Sequence, residues 1–379
     1  MKHASSLRSA ALAAIAAIAA IAAAALAAGA DTPTLLEGPA LAVPRAGHQA
    51  TLMDDGSVLV TGGCAGAGCA RIQRSAERYD PAGGRFVPAA DMVTARVSHT
   101  ATALADGRVF VAGGWTGSAA TASTEVYDPA SGRFVAGPGM AVARMDATAT
   151  LLDDGDVLLV GGAVQTNRPA AAAERFSPAT GAISAAGALQ AARVHHAAVK
   201  LRDGRVLVVG GLVGRHQATA SAELYDPRTG SFRPTGALGQ PRCKHAALLL
   251  ADGRVMVLAG SADCDERQKL ASTEIFDPTT ERFTAGPRLV DARYKVASAA
   301  VRLDSGAVLI AGDASDVEVW TPGAPGFVRA AGRPLGAALA FSSATALKDG
   351  TVLVVGGYDT TITPTDRSWT VSAHAATRR

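Results

Sequence analysis

Aromatic residues are scarce: 9 Phe, 5 Tyr and 3 Trp amount to 4% of 379 residues. Charge is also thin, at 18% of the chain, with a formal net value of +3. Without the first 30 residues, which carry Lys2 and Arg8 but no acid, that value falls to +1. No broad electrostatic footprint for nucleic acid is expected from such a balance. After Asp31 no apolar run is long enough to span a bilayer, so no membrane insertion is expected of the mature chain. Stretches with helical periodicity are missing too, which argues against a bundle. What is abundant is glycine, 41 residues, joined by 18 Pro. Together they point to many short strands linked by tight turns.

Residues 1–30 read as an export signal. Lys2 and Arg8 form a basic start, an Ala/Ile/Leu run follows from about Ala10 to Ala28, and Ala28-Gly29-Ala30 supplies small residues before a cut at Asp31. The run "LAAGA" is similar to a bacterial lipoprotein box, but Ala30 stands where the lipidated Cys belongs. The expected location is therefore exported, in the periplasm or secreted, with residues 31–379 as one domain.

A two-residue signal recurs along that domain. It appears as Asp55-Gly56, Asp106-Gly107, Asp154-Gly155, Asp203-Gly204, Asp252-Gly253, Ser305-Gly306 and Asp349-Gly350, seven copies 44 to 53 residues apart. Asp-Gly between two apolar runs predicts a hairpin with both turn residues at positive φ. A Gly pair closes the second strand in five copies, as in Gly62-Gly63. A second strand pair follows each time, as in "AERYDPAGGRF" and "AELYDPRTGSF", where Asp-Pro opens a turn and Gly ends it. Each unit is thus four antiparallel strands, A to D. Such a sheet cannot bury both faces alone, and a period near 45–50 residues predicts propeller blades.

These units resemble the kelch repeat in the Gly pair after strand B, the Glu-x-Tyr-Asp-Pro strand, the later aromatic and the Arg opening the next strand A. The resemblance covers about residues 35–375 and implies an all-β fold, a seven-bladed kelch-type β-propeller. The last unit lacks a strand D. At the other end "LLEGPALAVPR" (Leu35–Arg45) matches "FVAGPGMAVAR" (Phe134–Arg144). The ring is therefore expected to close by this N-terminal strand completing the last blade.

Residues present in most units are expected to build blades. Arg45, Arg96, Arg144, Arg193, Arg242 and Arg293 open strand A, and Glu77, Glu125, Glu174, Glu223, Glu274 and Glu318 mark strand C. The seventh unit replaces both, with Leu339 and Arg367. Joint loss predicts an ion pair inside each of the first six blades. His48, His99, His196 and His245, three residues after the strand-A Arg, are expected to pack rather than to ring a metal, because metal ligands must converge. A two-residue turn at Asp252-Gly253 places Cys243 opposite Ala262 and near Cys264. Cys243–Cys264 and Cys64–Cys69 disulfides are expected of an exported chain.

Residues that break the repeat are the better functional candidates. The variable B–C loops and the strand-A starts share one rim, which carries Arg71, Arg74, Trp115, Asn167, Arg168, Arg215, His216, Lys244, Asp263, Asp265, Glu266, Arg267, Tyr294, Lys295, Tyr358 and Asp359. The expected function is a non-enzymatic propeller gripping a protein or glycan there, with no cofactor and no metal. An alternative is a periplasmic sugar mutarotase, similar to the kelch enzymes acting on sialic acid, with Glu266 and His216 as acid and base. A galactose-oxidase-like copper site implies Tyr and His ligands and a Cys cross-linked to Tyr, whereas only Tyr294 and Tyr358 lie on this rim.

Overall fold

The computed structural model describes residues 33–165, 168–214 and 217–372. The signal segment and its cut at Asp31 lie outside them.

The hairpin turns set the strand register. In the first unit strand A (Gln49–Leu52) pairs antiparallel with strand B (Val58–Thr61). The connection is one residue longer than Asp-Gly alone predicts. Met53 N–H donates to Ser57 O and Gly56 N–H to Met53 O, each at 2.9 Å, so Asp54, Asp55 and Gly56 form the loop. Only the Gly has positive φ, between 82° and 90° in all seven copies. The Asp stays out of the left-handed region because its carboxylate captures the N–H two residues on, as from Ser57 to Asp55 Oδ1 at 2.9 Å. This is a type I turn closed by a glycine bulge. The extra residue shifts the register by one. Cys243 faces Ser261, not Ala262.

Strands C and D of the first sheet are Ala76–Asp80 and Arg85–Ala89. Sheets two to six repeat the order A-B-C-D. The strands A touch in succession, from Gln49–Leu52 through Thr100–Ala103, Thr148–Leu151, Ala197–Lys200, Ala246–Leu249, Ala300–Arg302 and Ser343–Ala346, and the last touches the first. The sheets therefore form a closed seven-bladed propeller with strands A around the axis. Apolar slabs fill the seams, each drawing on two adjacent sheets, as where Leu59 and Val109 meet between sheets one and two. Strand B is sandwiched on both faces, which is why its four residues are all apolar or small and all buried, as in Val352–Val355.

The seventh sheet draws on both chain ends. Its strands Ser343–Ala346, Val352–Val355 and Ser368–Ser372 are joined by Thr34–Glu37, antiparallel to the third. The alignment of Leu35–Arg45 with Phe134–Arg144 holds bond for bond. Gly38, Leu41 and Arg45 N–H donate to Ser368, Asp366 and Thr365, as Gly137, Met140 and Arg144 donate to Thr124, Ala122 and Thr121. Both glycines are required by close approach: a Cβ on Gly38 would sit 2.6 Å from Ser368 Oγ, and one on Gly137 2.5 Å from Thr124 Oγ1. A short fifth strand, Ala331–Gly332, runs parallel outside Thr34–Glu37.

Six ion pairs inside the blades are present. Arg45–Glu77 and Arg96–Glu125 span 2.7 Å, Arg193–Glu223 2.8 Å, Arg242–Glu274 and Arg293–Glu318 2.9 Å, and Arg144–Glu174 completes the set. Each carboxylate also accepts backbone N–H groups from the incoming D–A connection, as Glu125 does from Val93 at 2.6 Å and Thr94 at 3.0 Å. The pair thus clasps the strand arriving from the previous blade. All four strand-A His residues are buried as packing groups, and three of them hydrogen-bond, His245 being the exception. His48 Nε2 meets Ser343 Oγ at 2.8 Å, His99 Nε2 meets Thr61 Oγ1 at 2.9 Å, and His196 Nε2 meets Thr148 Oγ1 at 3.0 Å, each across a seam. Cys64–Cys69 and Cys243–Cys264 are disulfides.

Candidate functional site

The residue two after the strand-A Arg has the same backbone in every blade. Gly47, Ser98, Asp146, His195, Lys244, Lys295 and Phe341 all lie in the left-handed region, with φ of 50° to 61°. Their peptides form a belt around the axis, each bonded directly to the next at five of its seven steps. Gly47 N–H donates to Phe341 O at 3.1 Å, Ser98 to Gly47 at 3.2 Å, Asp146 to Ser98 at 3.0 Å, Lys244 to His195 at 2.9 Å and Phe341 to Lys295 at 3.1 Å. All seven residues line one axial depression of about 280 Å³. The rest of its wall is mixed, with Gln49, Thr100, Thr102, Thr148 and Ser298 set among several alanines. The backbone is sevenfold repetitive here, while the side chains are all chemically distinct except for the two lysines.

Chemistry is concentrated where blades five, six and seven meet. Lys244 Nζ lies 5.2 Å from the centre of the Tyr294 ring and 5.7 Å from that of Phe341. Lys295 Nζ lies 5.4 Å from both Tyr294 and Tyr358 and 5.8 Å from Phe341. Three rings therefore wrap two ammonium groups, an arrangement favoured by the negative ring faces. Lys295 is also ion-paired with Glu266 at 2.9 Å. Burial lowers the Lys244 pKa; Asp146 opposes that shift and Lys295 adds to it. For Lys295 burial pulls downward too, but the hydrogen bond to Glu266, with Tyr358 adding to it, prevails and the net direction is up. On the other side of Lys244 from Lys295, His195 Nδ1 stands 3.7 Å from Asp146 Oδ1. Burial holds that imidazole down at about 4 despite Asp146, so it is neutral at pH 7.

The rim residues singled out from the sequence divide into two groups. Lys244, Lys295, Glu266, Tyr294 and Tyr358 converge at this mouth. Tyr294 itself is buried and its hydroxyl donates to Cys264 O, so it presents only a ring face. The rest serve their own loops or stand apart. Trp115 is half-buried and pairs its backbone with Val97 at 2.8 and 3.0 Å. Asp265 caps the short turn Glu266–Gln268 and pairs with Arg267 at 3.1 Å, while Asp263 accepts from Ser261 at 2.7 Å. Asp359 holds the N–H of Thr361 at 2.9 Å and of Thr363 at 3.1 Å. Arg74 pairs with Asp91 at 3.0 Å, and Arg71 and Arg168 are exposed. Asn167, Arg215 and His216 lie outside the described residues.

Sequence reasoning overlooked Ser98, Asp146, His195 and Phe341. The signal was available: in "RVSH", "RMDA", "RVHH" and "LAFS" the third position changes chemical class from unit to unit.

Comparison with known proteins agrees with this frame. A family profile described as the kelch motif matches residues 45–93, 96–141 and 193–238. The chain is a kelch-repeat propeller. No curated protein matches it. Among solved structures this kelch propeller is similar to a fungal alcohol oxidase of the AA5 family in complex with copper. The TM-score is 0.70 at 16% identity, covering 91% of this chain and 76% of that one. At that identity the likeness carries the fold alone. The donor set at this mouth does not suit copper. All four cysteines are in disulfides, the Tyr294 hydroxyl is engaged by a carbonyl, and two ammonium groups occupy the space between the rings. Among the described residues no group of three or more His, Cys, Asp and Glu is placed to hold a metal ion.

Proposed function

We propose that this protein is an exported binding propeller that grips a protein or glycan at the axial mouth and its surrounding loop rim. The supporting observation is the belt: seven equivalent, conformationally fixed positions whose side chains differ in charge, size and polarity around one shared depression. Variable chemistry on a rigid repeat is how such scaffolds recognise ligands. Export is supported by the basic, apolar and small-residue order of the first 30 residues and by the two disulfides, which suit an oxidising compartment. Among the described residues no helix is long and apolar enough to cross a membrane. Sugar ring opening is not carried forward, since Glu266, its intended acid, is held by Lys295.

The test is a glycan array and a displayed-peptide library, both screened with the mature chain and with Ser98→Tyr. Phe341 shows that the belt accepts an aromatic at this backbone geometry, so the variant narrows the mouth without disturbing the frame. Binding from one library that falls by about tenfold or more in the variant is expected. No binding in either, or binding indifferent to Ser98→Tyr, would overturn the reading.

A further inference from the structure

Among the described residues Lys244 is the mouth lysine without an ion pair. Lys295 has Glu266, and Lys269 has Asp313 at 2.9 Å. Among the described residues no carboxylate reaches Lys244 Nζ within ion-pairing distance, and its contacts are the faces of Tyr294 and Phe341. Its backbone is fixed by the belt bond to His195 O. An ammonium that is partly desolvated, preorganised and unneutralised favours an anion from outside.

Resting on the binding reading above, we propose that the mouth takes an acidic sugar, its single carboxylate on Lys244 and its ring against Phe341. Three features favour a sugar over an acidic peptide. The depression, about 280 Å³, is at the small end of ligand pockets and suits one sugar unit. Its wall offers hydroxyl and amide partners from Thr100, Thr102, Thr148, Ser298 and Gln49, as a polyhydroxyl ligand needs. Two belt positions from Lys244 stands Asp146, which can accept from sugar hydroxyls and disfavours a second carboxylate. Phe341, half-buried on the same depression, supplies an apolar ring for sugar C–H groups.

The experiment is titration of the mature chain with sodium D-glucuronate, D-glucose and the dipeptide Asp-Asp, followed by calorimetry or ligand-observed NMR. Glucuronate is expected to bind about tenfold or more tightly than glucose, the increment of one charge-assisted hydrogen bond. Lys244→Met should remove that preference while the thermal transition is retained. Glu266→Gln, on an exposed side chain, should strengthen glucuronate binding by releasing Lys295. Equal affinity for glucose and glucuronate, no binding of glucuronate, indifference to Lys244→Met, or tighter binding of Asp-Asp would each overturn the inference. The broader reading falls separately, since it requires loss on Ser98→Tyr of whatever the arrays detect.

Discussion

Arg367 Nη2 lies 3.1 Å from Glu37 Oε1, joining the third strand of the last sheet to a strand from the opposite end of the chain. Both side chains are largely exposed, so the pair is worth less than about 1 kcal/mol. Leu35 and Leu41 on the same segment are buried, and each contributes about 1.5–3 kcal/mol. Apolar burial, not the ion pair, fastens the ring. Glu37→Gln should change unfolding free energy by less than about 1 kcal/mol, whereas Leu35→Ala or Leu41→Ala should cost about 2–5 kcal/mol in urea unfolding. Deleting residues 33–44 should be worse than either, and a truncated chain melting with the full one would disprove closure by this strap.

The clasp inside each blade behaves differently, because neither partner sees water. Glu125→Leu leaves the Arg96 guanidinium buried and unpaired and frees the N–H groups of Val93 and Thr94. A loss of about 3–5 kcal/mol is expected, and Arg96→Met/Glu125→Leu together should cost less than the sum of the single changes. Additive losses in a double-mutant cycle would show that the two side chains act independently.

Acid sensitivity follows from the seam histidines. Burial first, then nearby arginines, lowers His48 to about 3; burial and Arg242 do the same for His245. His99 and His196 are likewise held well below the usual value. Unfolded imidazoles protonate near 6.5, so between that value and about 3 the unfolded chain binds more protons. Their contribution is complete above about pH 7 and lost on acidification through this window. The melting temperature should therefore fall steadily from pH 7 toward pH 4. A flat profile there would mean the imidazoles are not held neutral.

The two disulfides should appear in non-reducing peptide maps as Cys64–Cys69 and Cys243–Cys264. The second closes 21 residues and anchors the loop that brings Glu266 to Lys295. Its removal by Cys243→Ser/Cys264→Ser should cost about 3 kcal/mol and weaken whatever ligand the mouth holds. A Cys64–Cys243 link in the map would overturn the assignment.

The frame was legible because it repeats. Arg and Glu recur together and vanish together in the seventh unit, which encodes their contact; Leu35–Arg45 copies a strand D and forms one. The turn was misjudged because Asp-Gly specifies the bulge glycine but not where the loop begins, which the Met53–Ser57 bond decides. The mouth was only half legible. Lys244 and Lys295 stood out as charges, but Ser98, Asp146, His195 and Phe341 are ordinary residues whose meaning comes from a shared backbone conformation. The seams hold a related pattern: the first Gly of the pair yields to Ala259 and Ala311 before the blades where Val296 and Ser342 replace the strand-A His. At Gly210 a Cβ would come within 2.6 Å of His245 Cε1, so every strand-A imidazole faces a glycine, although Gly113 is kept before blade three, where Ala147 replaces the His.

The belt of peptide bonds separates architecture from vocabulary. Its hydrogen bonds run through main-chain atoms alone, so the side chains it carries can differ from blade to blade while the torus keeps its shape. From Gly47 round to Phe341 one repeated backbone already spells glycine, hydroxyl, carboxylate, imidazole, ammonium and aromatic ring in turn.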